Sequence, residues 1–152
     1  MYKNILAPIN LESSSKVELL EALKLAQKFN SKVFLLSVHE QFKSKEEMVM
    51  SRVSINTISE EIKEAAIEAK NKLKQMVDDS EFGDVECDYI LRDGKPEDAI
   101  LDIALQLNIN LIVMSTDGKD SMSDYVSGTI SQIVIDKSSC PVLVIPIGDI
   151  NE

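Results

Sequence analysis

Leu111-Ile112-Val113-Met114-Ser115-Thr116-Asp117-Gly118 sets an uninterrupted apolar run directly ahead of a short polar loop that ends in glycine. An apolar run without polar alternation is the pattern of a strand buried on both faces, which belongs to parallel sheets covered by helices. Nine residues then intervene before Gly128 and Thr129, which head the apolar helical run Ile130, Ile133 and Val134 toward Lys137. The order strand, glycine turn, helix is half of a strand-helix-strand unit.

The rest of the chain repeats that unit. Asn4 to Ile9, Lys32 to Val38 and Val142 to Ile145 are short apolar runs of the same kind. Val85 to Leu91 differs, because Val85, Cys87, Tyr89 and Leu91 alternate with Glu86, Asp88 and Ile90, and it reads as an edge strand. Helical periods fill the gaps. Leu19, Ala22, Leu23 and Ala26 follow a capping box of Ser15 and Glu18 and stop at Asn30. Ile58, Ile62, Ala65, Ala66, Ala69, Leu73 and Met76 mark a longer helix boxed by Thr57 and Glu60. A third helix opens at Pro96, carries Glu97 and Asp98 in its first turn, and buries Ala99, Ile100, Ile103, Ala104 and Leu107. A fourth starts near Gly128. Strict alternation predicts a three-layer α/β sandwich, a parallel sheet covered on both faces with right-handed crossovers, and the expected form is a five-stranded doubly wound sheet, for which the order 3-2-1-4-5 is taken. Gln41 to Ser54 is the one long irregular connection, charged at Lys43 to Glu47 and bearing Met48 and Met50. It reads either as a flap or as a solvated loop.

With 152 residues the chain suits a single domain spanning 1–152, long enough to bury about two-thirds of its unfolded surface. Hydrophobic residues at 44% and charged residues at 28% exclude disordered and fibrous classes. No apolar run is long enough to span a bilayer, and the five apolar residues before Asn10 are too few for a signal-peptide core. The expected address is cytoplasmic. Cys87 and Cys140 lack any C-x-x-C spacing and read as reduced packing residues. Sixteen basic against 26 acidic residues give a net charge of −10, which argues against nucleic acid and membrane partners. A bound polyphosphate must therefore be held by local backbone dipoles, with or without a metal ion.

In a doubly wound sheet a ligand lies beyond the carboxyl ends of the strands, where the strand order reverses. In the order 3-2-1-4-5 that point falls between strands one and four, at Pro8-Ile9-Asn10 and Met114 to Gly118. Gly118 permits a turn at positive φ and close approach to an anion. Gly128 and Thr129, with the amides of Ile130 and Ser131, offer a backbone-built phosphate cradle at a helix start. A plain turn at Gly118 and an ordinary helix cap at Gly128-Thr129 remain the simpler alternative. Asp117 and Asp120 are either metal ligands or surface carboxylates. His39, the only histidine, is either a proton shuttle or a strand-end residue. Neither a nucleophile elbow nor a Walker-type loop is present. Pro141 and Pro146 bracket Val142, Leu143, Val144 and Ile145, an apolar run expected at an open sheet edge that invites pairing.

Ser115-x-x-Gly118, nine residues, Gly128-Thr129 and then Cys140-Pro141-Val142-Leu143-Val144-Ile145-Pro146 strongly resemble the universal stress protein family. So do Lys3-Asn4-Ile5-Leu6-Ala7-Pro8-Ile9-Asn10 at the start and Gly94-Lys95-Pro96 before the third helix. The resemblance implies an adenine nucleotide alpha hydrolase-like fold that holds ATP, AMP or a related adenine nucleotide, with Mg2+ or Mn2+ through the phosphates. It places Pro8, Ile9 and Asn10 near adenine and ribose, with Val38 against adenine. Met114 and Ser115 flank the ribose, and Gly118, Lys119, Gly128, Thr129, Ile130 and Ser131 surround the phosphates. It also implies a homodimer through antiparallel pairing of strand five. Two positions depart from the nucleotide-binding pattern: Asn10 stands where aspartate is usual, and Ser115 replaces the first motif glycine. Asparagine loses a charge-assisted bond roughly twice as strong as a neutral one, so weaker binding is expected. The implied role is a stress or signalling adaptor with no catalytic residues and at most slow ATP hydrolysis. Its rivals are a dimeric interaction protein of the same family without nucleotide, and a phosphohydrolase using Asp117 or His39.

Overall fold

The computed structural model describes residues 1–9, 16–39, 55–115 and 124–146. Among the described residues five strands alternate with four helices: β1 (Asn4–Pro8), α1 (Lys16–Phe29), β2 (Lys32–His39), α2 (Ile55–Asp78), β3 (Cys87–Asp93), α3 (Pro96–Gln106), β4 (Leu111–Ser115), α4 (Asp124–Lys137) and β5 (Val142–Ile145). The strands form one sheet in the order β3-β2-β1-β4-β5. Every pairing is parallel. The expected doubly wound α/β sandwich is therefore the observed one.

Burial follows strand parity, since successive side chains point to opposite faces. Ile5, Ala7, Val33, Leu35, Leu111 and Val113 meet Leu19, Ala22, Leu23 and Ala26 of α1 and Leu73 and Val77 of α2. Leu6, Phe34, Leu36, Ile112 and Met114 meet Ile100, Ile103 and Ala104 of α3 and Val134 of α4 on the other face. Both faces of β1 and β4 are thus dry, as their unalternating sequence requires.

Helix ends are set by residues that tolerate left-handed backbone. Asn30 takes φ 57° just after α1, and the N–H of Ser31 donates back to the carbonyl of Ala26 at 2.8 Å. Asn108 repeats this after α3, with φ 52° and a 3.0 Å bond from Ile109 N–H to the carbonyl of Ala104. Both are Schellman-type stops, for which asparagine is the usual substitute for glycine. Ahead of α3, Gly94 has φ 121°, a conformation closed to other residues, and Pro96 occupies the first turn where a missing N–H costs nothing. Asn4 anchors β1 to this corner: its side-chain amide donates to the carbonyls of Leu107 and Asn108 at 3.3 and 3.2 Å.

Two boundaries differ from the sequence reading. β3 begins at Cys87 rather than Val85, because Val85 N–H closes a turn on the carbonyl of Phe82 at 3.1 Å before pairing with β2 starts. α4 begins at Asp124, one turn before Gly128. Glycine costs a helix interior only about 1 kcal/mol, so it does not by itself start a helix.

Burial pushes the Cys87 thiol up from 9.0 to about 11, reinforced by the charges of Asp88, Asp78 and Glu86. Burial likewise pushes the Tyr89 hydroxyl up from 10.0 to about 12, with Cys87, Asp78 and Asp88 adding to it. In both cases the folded chain holds the proton more tightly than the unfolded chain. Their stabilising contribution is therefore complete below pH 9 and is lost as pH rises from there toward about 12. Urea midpoints measured across that range should fall, and Cys87→Ala should flatten the decline in its lower part. A midpoint constant to pH 12 would contradict the assignment.

Candidate functional site

The crevice is opened by a single missing donor. Odd residues of β1 face β2, as shown by Ile9 N–H donating to Leu36 O at 2.7 Å and by Lys32 N–H donating to Lys3 O at 2.8 Å. Even residues face β4, as shown by Asn110 N–H donating to Asn4 O at 2.8 Å. Pro8 is an even position with no N–H, so it cannot extend the ladder toward β4. Registered β1–β4 pairs are Ile5↔Leu111 and Leu6↔Ile112, while β4 runs on to Ser115 beside β5. The two central strands part at their carboxyl ends, where the winding reverses.

Rim residues divide by face. Val38 and Met114 pack into the cluster on the α3 and α4 side, and Met114 is buried. Ile9 belongs to the cluster on the α1 side and is also buried. Pro8 and Ser115 are half-buried, Ser115 on the α1 side where it meets Glu18. The structure thus brings Pro8, Ile9, Val38, Met114 and Ser115 to one end of the sheet. On α4, Ser131 is buried and Ile130 is half-buried against the α3-side core. Gly128 and Thr129 lie in the second turn of α4 rather than at its head. The free amides of that helix belong to its first turn, so Ile130 and Ser131 are not at its positive end. Asn10, Gly118, Lys119, Asp117 and Asp120 lie outside the described residues, as do the flap residues 41–54. His39 ends β2 in register with Asp93.

Ser115 has a partner the sequence reading missed. Its hydroxyl donates to the Glu18 carboxylate, Oγ to Oε2, at 2.8 Å. Glu18 is the third residue of α1 and only 4% exposed. A carboxylate there also sits favourably near the positive end of the helix dipole. Read as a capping-box residue, Glu18 appeared to serve α1 alone. The missed signal is its spacing: four residues before Ala22, it extends the buried stripe of α1 by one turn.

Away from the crevice, Ser37, Ile67, Lys70, Leu73, Tyr89, Ile90 and Leu91 line a cavity of about 180 Å³. Small-molecule sites begin near 300 Å³, and this cavity lies between α2 and β2-β3, off the winding reversal. Among the described residues no group of three or more His, Cys, Asp or Glu is placed to hold a metal ion, and no helix is long and apolar enough to cross a membrane.

A doubly wound parallel sheet in this strand order defines a Rossmann-like α/β protein. The model of the universal stress protein family matches residues 1–146, and the chain belongs to that family. It is 30% identical over 145 residues to a universal stress protein of Methanocaldococcus jannaschii, covering 95% of this chain and 82% of that protein. The structure of UspA from Lactobacillus plantarum superposes with a TM-score of 0.75 at 24% identity, covering 95% of this chain and 97% of the other. Two further family structures share the fold. One, in complex with cAMP, has a TM-score of 0.63 at 18% identity and covers 95% of this chain and 97% of its own. The other, from Archaeoglobus fulgidus in complex with dAMP, has a TM-score of 0.59 at 20% identity and covers 95% and 98%.

Because Glu18 is buried, removing the Ser115 hydroxyl takes a donor from a desolvated carboxylate. Ser115→Ala should lower the unfolding free energy by about 1–3 kcal/mol in urea titration. A variant as stable as the parent would show that the bond contributes nothing.

Proposed function

We propose that this chain binds an adenine nucleotide in the crevice between β1 and β4, and acts as a cytoplasmic stress or signalling adaptor rather than an enzyme. The parting of β1 and β4 at Pro8 carries this reading, since it leaves a gap at the one place where the fold presents strand ends from both directions. Pro8, Ile9 and Asn10 would lie near adenine and ribose, with Val38 against adenine and with Met114 and Ser115 flanking the ribose. Gly118, Lys119, Gly128 and Thr129 would surround the phosphates, while Ile130 and Ser131, packed on the core side of α4, would not reach them. Two fold neighbours are complexes with cAMP and dAMP, which supports an adenine nucleotide as the kind of ligand. Mg2+ or Mn2+ would enter with the phosphates and shield their charge. With neither a nucleophile elbow nor a Walker-type loop in the sequence, any turnover is expected to be slow.

Calorimetry with ATP and AMP, with and without magnesium, tests the reading. Binding should be seen, Gly128→Val should abolish it by filling the space beside the phosphates, and Asn10→Asp should tighten it through a charge-assisted bond. Absence of heat at millimolar ATP and AMP would favour the rival, a dimeric family member whose crevice is vestigial. Unchanged affinity in Gly128→Val would put the ligand elsewhere.

We also propose a homodimer through β5. Val142, Leu143, Val144 and Ile145 carry no charge at an open edge, and Leu143 is 39% exposed. The opposite edge, β3, is protected by charge: Lys32 Nζ bridges to Asp88 Oδ2 at 2.9 Å and Glu86 Oε2 at 3.6 Å. Sedimentation equilibrium should give twice the 16.9 kDa chain mass, and Leu143→Asp should return the protein to monomer. A monomeric parent at micromolar concentration would overturn the edge-pairing model.

A further inference from the structure

We infer that a second copy of this chain, paired along β5, orders one wall of the crevice, so that nucleotide binding and dimerisation strengthen each other. The inference rests on both readings above, the nucleotide in the crevice and the homodimer through β5. It starts from an asymmetry in how β4 is held. Leu111 and Ile112 are registered with Ile5 and Leu6 of β1. Among the described residues, Val113, Met114 and Ser115 are registered with β5 alone, opposite Leu143, Val144 and Ile145. Pro8 has no N–H to carry the β1 ladder further, so the end of β4 takes its registered partners from β5. That end includes Met114 and Ser115, which form the crevice rim.

β5 is itself the least supported strand. It has four residues and ends the sheet, with β4 as its one neighbour among the described strands. Val142 and Val144 pack into the cluster on the α3 and α4 side, whereas Leu143, which points to the other face, is 39% exposed. Helix packing and the bond from Ser115 to Glu18 hold β4 from the faces of the sheet. Within the sheet, the rim is the end of a two-stranded ribbon, which is marginal by itself, while three or more strands are firm. Antiparallel pairing with a copy turns that ribbon into the centre of a four-stranded unit, with β5 held on both sides. Ser115, in register with Ile145, then stands one strand from the two-fold contact. A wall already ordered costs a ligand less to bind. By linkage the effect is reciprocal: a nucleotide that prefers the dimer tightens it by the same factor for each site it fills.

The test joins calorimetry with AMP and ATP to sedimentation equilibrium, on the parent and on Leu143→Asp. The nucleotide that binds the parent more tightly should bind the monomeric variant about fivefold more weakly, the lower end of common couplings. At saturation the same nucleotide should tighten the parent dimer about 25-fold, the square of that factor for two sites. This second measurement needs no variant and decides the matter if Leu143→Asp does not fold. A variant that binds as tightly as the parent, beside a parent dimer indifferent to nucleotide, would overturn the inference and leave both underlying readings standing. A weaker variant beside an indifferent dimer would mean local damage at β5, and the inference fails equally. A parent that stays monomeric with and without nucleotide removes it together with the homodimer. A parent that binds neither AMP nor ATP removes it together with the nucleotide-binding reading.

Discussion

Pro8 has no N–H to give, and the useful geometry of this molecule depends on where that deficiency falls. β1 is the central strand, and its odd residues are committed to β2. A proline at an odd position would break the stronger of its two pairings. Placed at the last even position, it leaves the β2 ladder intact through Ile9 and releases only β4. The winding reversal already sends the connections after β1 and β4 to opposite faces of the sheet. A released ladder at that point converts a topological seam into a physical gap.

The sheet itself was open to reading because both faces of it are covered. Asn4 to Pro8, Lys32 to His39 and Leu111 to Ser115 have no polar alternation, and a strand that lacks alternation needs a helix on each side. Boundaries were less legible where turn bonds competed with the ladder. Val85 has the right residue type for a strand and packs against the core, yet its N–H is spent on Phe82. Gly128 was misread as a helix start because glycine spacing suggested a loop, whereas the backbone continues the helix back to Asp124. The bond between Glu18 and Ser115 joins residues 97 apart, and no local period reports such a contact. Only once α1 is laid over β4 does the polar member of an otherwise apolar stripe acquire a partner.

The two edges of the sheet solve the same problem differently. β3 exposes main-chain groups beside Asp88, Arg92 and Asp93, and an incoming strand would have to displace or desolvate those charges. The ammonium of Lys32, held between Glu86 and Asp88 and lying 5.1 Å from the ring centre of Phe34, completes that fence. β5 itself carries no charged residue, and among the described residues Pro141 and Pro146 bound it. Prolines at the ends limit the length of a pairing without forbidding it. An edge that is short, bounded and apolar is suited to one partner strand of matching length and unsuited to indefinite extension.

Stability alone does not account for Glu18. Its position extends the buried face of α1, where a leucine would continue the stripe of Leu19, Ala22, Leu23 and Ala26 and bury more apolar surface. A carboxylate in that place must be desolvated, which costs several kcal/mol before its partners are counted. The helix dipole and the Ser115 hydroxyl are among the groups that offset that cost. Buried charged groups of this kind concentrate where a site needs a fixed potential. This one lies at the end of β4, on the side of the crevice that Pro8 opens. Its position is hard to derive from apolar packing and follows instead from the hydrogen bond that ties α1 to the end of β4.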